Sequence, residues 1–139
     1  MGGAQSKVVL KDTNQVTLEE FIAVVKDGAA LEFGEEFCQC VMMSRNVIEE
    51  AFAENKKIYG VTTGFGENVR YTISQDDAEI LQRNIVRSHS CAVGEPLKEV
   101  EVRAMMMMMI LNLGNGHSGI RLETLDLIRE MLNHRIVPF

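Results

Sequence analysis

The stretch of the chain best suited to chemistry is residues 59–66, YGVTTGFG, where a tyrosine begins a glycine-rich segment. A tyrosine hydroxyl can donate, accept or exchange a proton, and glycines let the backbone approach a ligand closely. The segment is not a phosphate-binding loop, because Lys56 and Lys57 precede its glycines and no Gly-Lys-Ser/Thr follows. On these residues alone the commoner role is a tight connection in which Tyr59 and Phe65 pack inward.

Three histidines are candidates for binding or proton transfer. Ser88 and His89 lie near the end of a predicted helix, where the imidazole could reach a pocket, although such a histidine more often hydrogen-bonds neighbouring groups. His117 lies beside a glycine and could belong to a helix cap, and His134 lies where a helix end attracts positive charge. No serine or cysteine has a recognisable nucleophile setting, so a hydrolase triad is not indicated.

The three cysteines, Cys38, Cys40 and Cys91, indicate neither a disulfide framework nor a metal site. Their number is odd, and the first residues lack the apolar core of a secretory signal, which points to the cytoplasm. One residue separates Cys38 from Cys40, whereas paired zinc ligands are usually separated by about two to four. We therefore expect buried or spare thiols and no bound metal.

The composition is that of an ordinary globular protein, with 139 residues of which 46% are hydrophobic and 24% charged. This length suits a single domain over residues 1–139, and no apolar run approaches the roughly 20 residues that cross a bilayer. A net charge of −6 with dispersed basic residues disfavours nucleic acid as a partner. We expect a cytoplasmic protein with neither nucleic-acid nor membrane partners.

Five helices and the glycine-rich loop account for most of the chain. Thr17 and Glu20 have the pattern of a capping box for a short helix that runs through Val25. Hydrophobic periodicity and glycine or proline breaks predict four more helices: about 40–54, from Ser74 as N-cap to about Cys91, Glu99 to about Leu113, and from Ser118 as cap to about Asn133. Residues 8–10 and 69–71 are weak strand candidates. The expected fold is mainly α, with little or no sheet.

The fourth of these helices carries five consecutive methionines, Met105 to Met109. Because apolar residues occupy every face, we expect this helix to be enclosed on nearly all sides. Methionine side chains adapt to irregular contacts, so the segment suits a protein core or a subunit interface.

Four separated motifs resemble those of the aromatic amino acid lyases, a family of histidine, phenylalanine and tyrosine ammonia-lyases and related aminomutases. The loop at residues 59–66 is similar to the family's Tyr-Gly-x-Asn/Thr-Thr-Gly-Phe-Gly. The other motifs follow in the family's order: LQRN at 81–84 with Ser88-His89 and VGEPL at 93–97, VRAMM at 102–106, and GHSGIR at 116–121. The resemblance extends from about Val8 to Phe139.

This resemblance implies the N-terminal α-helical domain of the aromatic amino acid lyase fold, which is of the fumarase/aspartase type. In that family an electrophile, methylideneimidazolone, forms from the protein's own Ala-Ser-Gly and makes loss of ammonia possible. The family's loop tyrosine is the base, which implies that role for Tyr59, with Gly66 as a backbone neighbour of the substrate. A tyrosine is a poor base at neutral pH unless its surroundings lower its pKa, and a mobile loop can close to exclude water and position the phenol.

Ser88 and His89 occupy the family's substrate-selecting position. Phenylalanine-type enzymes show Phe-Leu there and tyrosine-type enzymes His-Leu, whereas Ser-His resembles histidine ammonia-lyases and some tyrosine aminomutases. Cys91, which follows the pair, slightly favours the histidine type. We expect His89 to recognise the substrate side chain and the reaction to be L-histidine to urocanate. The alternative is a tyrosine or phenylalanine lyase or aminomutase.

The sequence departs from the family pattern in one respect, since no Ala-Ser-Gly occurs in these 139 residues. The family's central helices, which build a homotetramer with shared active sites, would also follow Phe139. We expect the chain alone to be inactive and its apolar helices to be covered by a C-terminal lyase segment or by self-association. The alternative in a different class is a non-catalytic interaction module that retains the lyase fold.

Overall fold

The computed structural model describes residues 6–54, 56–59, 63 and 75–138. Its elements, in chain order, are β1 (Lys7–Leu10), α1 (Leu18–Val25), β2 (Ala30–Phe33), α2 (Glu35–Ala53), α3 (Gln75–His89), α4 (Glu99–Leu113) and α5 (Leu122–Asn133). The prediction of five helices and little sheet is therefore confirmed for the described residues. The chain divides into two compact units, one made of residues up to Asn46 and from Pro96 onward, the other of Val47–Glu95.

The sheet consists of β1 and β2, which run parallel with Lys7 opposite Ala30 and Leu10 opposite Phe33. The strand candidate at residues 8–10 corresponds to β1, whereas β2 was not predicted from the sequence. The other strand candidate, residues 69–71, lies outside the described residues.

The outer edge of β2 is closed by a side chain. Asn133, the last residue of α5, accepts a hydrogen bond at Oδ1 from the Leu31 N–H (2.9 Å), and its Nδ2 donates to the Leu31 carbonyl (2.9 Å). Leu31 is fully buried, so both of its backbone polar groups need a partner. One side-chain amide thus provides the pairing that a neighbouring strand would provide, and it fixes the end of α5 to the sheet.

An Asn133→Ala variant is expected to lose about 1–3 kcal/mol of unfolding free energy, because the buried Leu31 N–H loses its partner. The Leu31 carbonyl would keep only a longer contact with Arg129 Nη1, at 3.4 Å. The urea midpoint, followed by circular dichroism, measures the loss. Asn112→Ala, at an exposed position of α4, is the matched control and should barely shift the midpoint. Equal midpoints for the two variants would contradict the role given to Asn133.

The helix starts test the two capping predictions. At α1 the Thr17 hydroxyl accepts from the Glu20 N–H (3.2 Å) and Glu20 Oε2 accepts from the Thr17 N–H (2.9 Å), so the capping box is confirmed. At α5 the prediction is wrong, since the helix begins at Leu122 with Arg121 as N-cap. The Ser118 hydroxyl donates instead to the Leu113 carbonyl (2.5 Å), a group left without an intrahelical partner at the end of α4.

The other helix boundaries agree with the predictions to different degrees. α4 has the predicted bounds, and α3 ends at His89, slightly before the predicted Cys91. α2 begins at Glu35, ahead of the predicted start near Cys40, because Phe37 and Val41 extend its buried face. The proposed N-cap of α3, Ser74, lies outside the described residues.

One face of α4 belongs to the core of the larger unit, where the helix packs against α1 and α5. Buried side chains from both strands and from α1, α2, α4 and α5 form this core: Val8, Leu10, Val24, Val25, Leu31, Phe37, Val41, Met106, Met107, Ile110, Leu125 and Leu132. The expectation that α4 is enclosed on nearly all sides is wrong for this chain. Met105, Met108 and Met109 share one side of the helix and are 58%, 54% and 47% exposed. These three residues are called the methionine face below.

Arg103 is a charged residue within that core and is only 4% exposed. Its Nε donates to the Val25 carbonyl (2.8 Å) and its Nη2 to the Val24 carbonyl (2.6 Å), both in the last turn of α1. Its Nη1 donates to the Leu132 carbonyl (2.7 Å), in the last turn of α5. Helix C-termini carry partial negative charge, so one guanidinium from α4 stabilises the ends of two other helices.

Candidate functional site

Tyr59 lies in the segment that follows α2, within the unit formed by Val47–Glu95. The Lys56 N–H donates to the Ala51 carbonyl (2.9 Å) just beyond the end of the helix, and the chain then turns at Tyr59. The Tyr59 side chain is 61% exposed. The structure therefore does not have the inward packing of Tyr59 that a purely structural loop would favour.

Thr63, in the same predicted loop, is only 4% exposed. In the described part of this segment, the tyrosine is thus exposed and the threonine is buried. Gly66, the predicted backbone neighbour of the substrate, lies outside the described residues, as does Phe65.

Ser88 and His89 form the end of α3 in the same unit, and both are exposed. The Ser88 hydroxyl donates to the Ile85 carbonyl at 3.0 Å. His89 Nδ1 lies 2.9 Å from that carbonyl and 3.0 Å from the Ser88 oxygen. The Nδ1 edge of the imidazole is therefore turned toward its own helix, and its position is fixed by local contacts.

Most of the side chains described in the unit that carries these residues are exposed. Among its described side chains, Ala51 and Thr63 are buried, whereas Ile80, Val86 and Val93 are 58%, 64% and 99% exposed. Tyr59 and His89 are likewise exposed among the described residues.

The two other histidines have local contacts in the larger unit. His117 is exposed in the turn after α4, where its N–H donates to Asn115 Oδ1 (3.1 Å). His134 is the C-cap of α5, with Nδ1 2.9 Å from the Glu130 carbonyl and 3.3 Å from the Glu130 carboxylate. This placement agrees with the helix-end role that the sequence predicts for His134.

A cleft that no sequence pattern indicates lies in the larger unit, with a volume near 460 Å³. Its lining comes from β2, α2 and α5: Glu32, Phe33, Cys38, Leu122, Glu123, Asp126 and Arg129. The Arg129 guanidinium lies over the Phe33 ring, 5.5 Å from its centroid, and pairs with Asp126 at 2.7 Å. The guanidinium is thus already paired within the cleft. Residues from three separate elements meet here, so only the tertiary structure could locate the cleft.

Cys38 in this cleft is expected to react with iodoacetamide several-fold more slowly than the exposed Cys91 at about pH 8. Partial burial raises the pKa of the Cys38 thiol, and the negative charge of Asp126 raises it further, so less of the reactive thiolate forms. Peptide mass spectrometry of timed samples measures both rates. Asp126→Asn should speed the reaction of Cys38 and leave that of Cys91 unchanged, and in urea the two rates should converge. Equal rates in the native protein would contradict this account.

Neither a metal cluster nor a membrane span is found in the part of the chain that the structure describes. Within the described ranges, no group of three or more His, Cys, Asp or Glu side chains could hold a metal ion. None of the helices there is both long and apolar enough to cross a bilayer.

Comparison with known proteins decides the family. The sequence model of the family described as aromatic amino acid lyase matches residues 16–139. The chain belongs to this family. A relative within it, the histidine ammonia-lyase of Caldanaerobacter subterraneus subsp. tengcongensis, is 41% identical over 132 residues, which are 95% of this chain and 26% of that protein. The resemblance noted in the four sequence motifs is therefore confirmed.

Solved structures of similar proteins share the fold of this aromatic amino acid lyase chain. The ergothionase of Treponema denticola matches 96% of this chain with a TM-score of 0.88 and 26% identity. The tyrosine aminomutase of Streptomyces globisporus matches 95% of it with a TM-score of 0.85 and 33% identity. The chain covers 27% and 25% of these two proteins, and thus spans about a quarter of the length of its relatives.

Proposed function

We propose that this chain carries the base and the substrate-selecting residues of an ammonia-lyase that converts L-histidine to urocanate. The observation that carries the proposal is that Tyr59 and His89 are both exposed within one compact unit. The 41% identity with a histidine ammonia-lyase supports histidine as the substrate. In this proposal the 139 residues act as a single N-terminal lyase-type domain.

Tyr59 is the proposed base. Its phenolate oxygen takes a proton from the β-carbon of the amino acid, the electrons of that C–H bond form the new double bond, and ammonia leaves from the α-carbon. An exposed tyrosine can be covered when a loop closes, which would exclude water and position the phenol at the substrate. Because loss of water alone disfavours the phenolate, the closed site must also stabilise its negative charge. Gly66 is proposed to let the backbone approach the substrate, because glycine has no Cβ. Ser88 and His89 are proposed to recognise the imidazole ring of the substrate.

The family's methylideneimidazolone activates the amine as a leaving group and forms from Ala-Ser-Gly, a sequence that these 139 residues do not contain. The residues present therefore cannot form this group, and we assign no step through it to this chain. We propose that a C-terminal lyase segment supplies it. Without that segment the chain is expected to be inactive, because a base alone does not provide the covalent step.

The methionine face is the proposed contact with such a segment or with other copies of the chain. Met105, Met108 and Met109 are about half exposed and adjacent on α4, and contiguous exposed apolar groups on a soluble domain usually mark a contact surface. The isolated chain is therefore expected to self-associate at tens of micromolar, as measured by light scattering. Replacing all three residues with glutamine should shift the population toward monomer. A wild-type chain that is monomeric at that concentration would contradict this expectation.

The decisive test mixes this chain with a polypeptide that contains the family's Ala-Ser-Gly segment and follows urocanate absorbance from L-histidine. Urocanate is expected from the mixture but from neither component alone. Formation of a stable complex without any urocanate would contradict the lyase proposal and favour a non-catalytic interaction module.

A tyrosine-acting enzyme is the second candidate, and the 33% identity with a tyrosine aminomutase supports it. Turnover of histidine, tyrosine and phenylalanine by the same mixture separates the two. A clear preference for tyrosine would contradict the histidine assignment.

A further inference from the structure

The ring of His89 can be assigned a tautomer from its contacts. Its Nδ1 lies 2.9 Å from the Ile85 carbonyl oxygen. A carbonyl oxygen can only accept a hydrogen bond, so the ring nitrogen that pairs with it must carry the hydrogen. The contact with Ile85 therefore requires the hydrogen on Nδ1.

The contacts of Ser88 fit the same assignment. Its hydroxyl has one hydrogen, which it donates to the Ile85 carbonyl at 3.0 Å. With the hydroxyl hydrogen on that carbonyl, the Ser88 oxygen accepts from the hydrogen on His89 Nδ1 across their contact of 3.0 Å. Ile85 and Ser88 thus share the Nδ1 hydrogen, and in the neutral ring the lone pair is on Nε2.

We infer that Ile85 and Ser88 hold neutral His89 as the Nδ1–H tautomer, so that Nε2 acts as a hydrogen-bond acceptor for the substrate side chain. This inference rests on the proposed function, in which His89 recognises that side chain. Nε2 of this tautomer pairs with a substrate ring that carries a hydrogen-bond donor, either an imidazole N–H or a phenol O–H. A ring that presents only a lone pair at the same place is disfavoured, because two acceptors would face each other. Ser88 is then a positioning residue that acts through His89.

The tautomer can be measured in the chain itself by nitrogen-15 NMR of labelled histidine at about pH 8.5, where a free imidazole is neutral. Long-range proton–nitrogen couplings distinguish Nδ1–H from Nε2–H. His89 is expected to show the Nδ1–H pattern, and Ser88→Ala should move part of the population to Nε2–H. Ser88→Thr, which keeps the hydroxyl, should restore the wild-type pattern.

The chain offers a matched control in Ser90. Its hydroxyl donates to the Val86 carbonyl at 2.5 Å, the same kind of serine-to-carbonyl contact as that of Ser88, but on the next carbonyl of the helix. Ser90→Ala should leave the His89 pattern unchanged. An Nε2–H pattern in the wild type, or equal effects of Ser88→Ala and Ser90→Ala, would overturn the inference.

A second measurement, in the mixture with the Ala-Ser-Gly polypeptide, tests whether Nε2 of His89 accepts a hydrogen bond from the substrate. Tyrosine presents a donor at the end of its ring, whereas 4-pyridylalanine presents an acceptor there, so tyrosine should be the stronger competitor against histidine. Ser88→Ala should raise the KM for histidine about two- to tenfold, the equivalent of one hydrogen bond, with kcat little changed. Stronger competition by 4-pyridylalanine would also overturn the inference. Absence of urocanate in the wild-type mixture would contradict the lyase proposal alone, because the NMR measurement does not depend on catalysis.

Discussion

A Tyr59→Phe variant of the reconstituted lyase is expected to turn over histidine about 10²–10⁴-fold more slowly than the wild type, the usual contribution of a general base. Phenylalanine keeps the ring and removes only the oxygen that would accept the proton. Initial rates of urocanate formation at saturating histidine give the ratio of kcat values. Activity within about tenfold of the wild type would show that another group is the base.

Two controls separate a missing base from a damaged protein. Because the Tyr59 side chain is 61% exposed, the urea midpoint of Tyr59→Phe should match that of the wild type. The limb of the pH–rate profile that reports ionisation of the base should also disappear in the variant, whereas a residue that only binds substrate would alter KM and leave that limb in place.

The start of a helix could be predicted where the capping residues lie within its own first turn. The Thr17 side chain binds the Glu20 backbone, and the Glu20 side chain binds the Thr17 backbone, both within one turn. The start of α1 therefore depends on no distant residue. The start of α5 could not be predicted, because the Ser118 hydroxyl has a competing acceptor, the Leu113 carbonyl at the end of α4. β2 is stabilised by partners far away in the chain, since β1 lies on one side of it and Asn133 binds Leu31.

The residue types of the candidate site could be recognised from motifs, but the state of those residues could not. The sequence places a histidine after Ser88, yet the assignment of the hydrogen to Nδ1 needs the distances to the Ile85 carbonyl and the Ser88 oxygen. For the methionine run, the sequence led to a wrong prediction of burial. Its composition alone predicts burial on every side, whereas the structure separates Met106 and Met107 in the core from the methionine face.

The burial of Arg103 could have been predicted from its spacing along α4, although its residue type suggests an exposed position. Charged residues are rarely fully buried, so an arginine is normally read as a surface residue. Arg103 is nevertheless in phase with Met106, Met107 and Ile110, at the helical spacing of one buried face. That periodicity could have identified it as a core residue, although its partners on α1 and α5 follow only from the tertiary structure.

An Arg103→Met variant is expected to lose about 3–5 kcal/mol of unfolding free energy through the loss of its hydrogen bonds to buried carbonyls, a large share of the roughly 5–15 kcal/mol that stabilises a typical domain. The carbonyls of Val24 and Val25 lie in the last turn of α1, where no intrahelical N–H follows, so methionine would leave these two buried acceptors without their donor. The Leu132 carbonyl would lose its contact with Arg103 and keep the longer one with the Arg135 N–H, at 3.3 Å. Urea unfolding followed by circular dichroism gives the difference. The unfolding free energy of Arg103→Lys should lie between those of Arg103→Met and the wild type. An ammonium keeps the charge but lacks the planar guanidinium that donates to several carbonyls at once.

The effect of Arg103 should not depend on pH near neutrality. Burial lowers the pKa of Arg103, nearby Arg135 lowers it further and Glu99 opposes them, so desolvation offsets part of what the three carbonyls contribute. A lowered pKa in the folded state would begin to change stability only in strongly alkaline solution, since arginine is charged in both the folded and unfolded chain between about pH 6 and 8. Arg121→Met, at an exposed position that makes no side-chain cap hydrogen bond, is the matched control. If both variants unfolded at the same urea concentration, the guanidinium of Arg103 would not be needed to join α4 to the ends of α1 and α5.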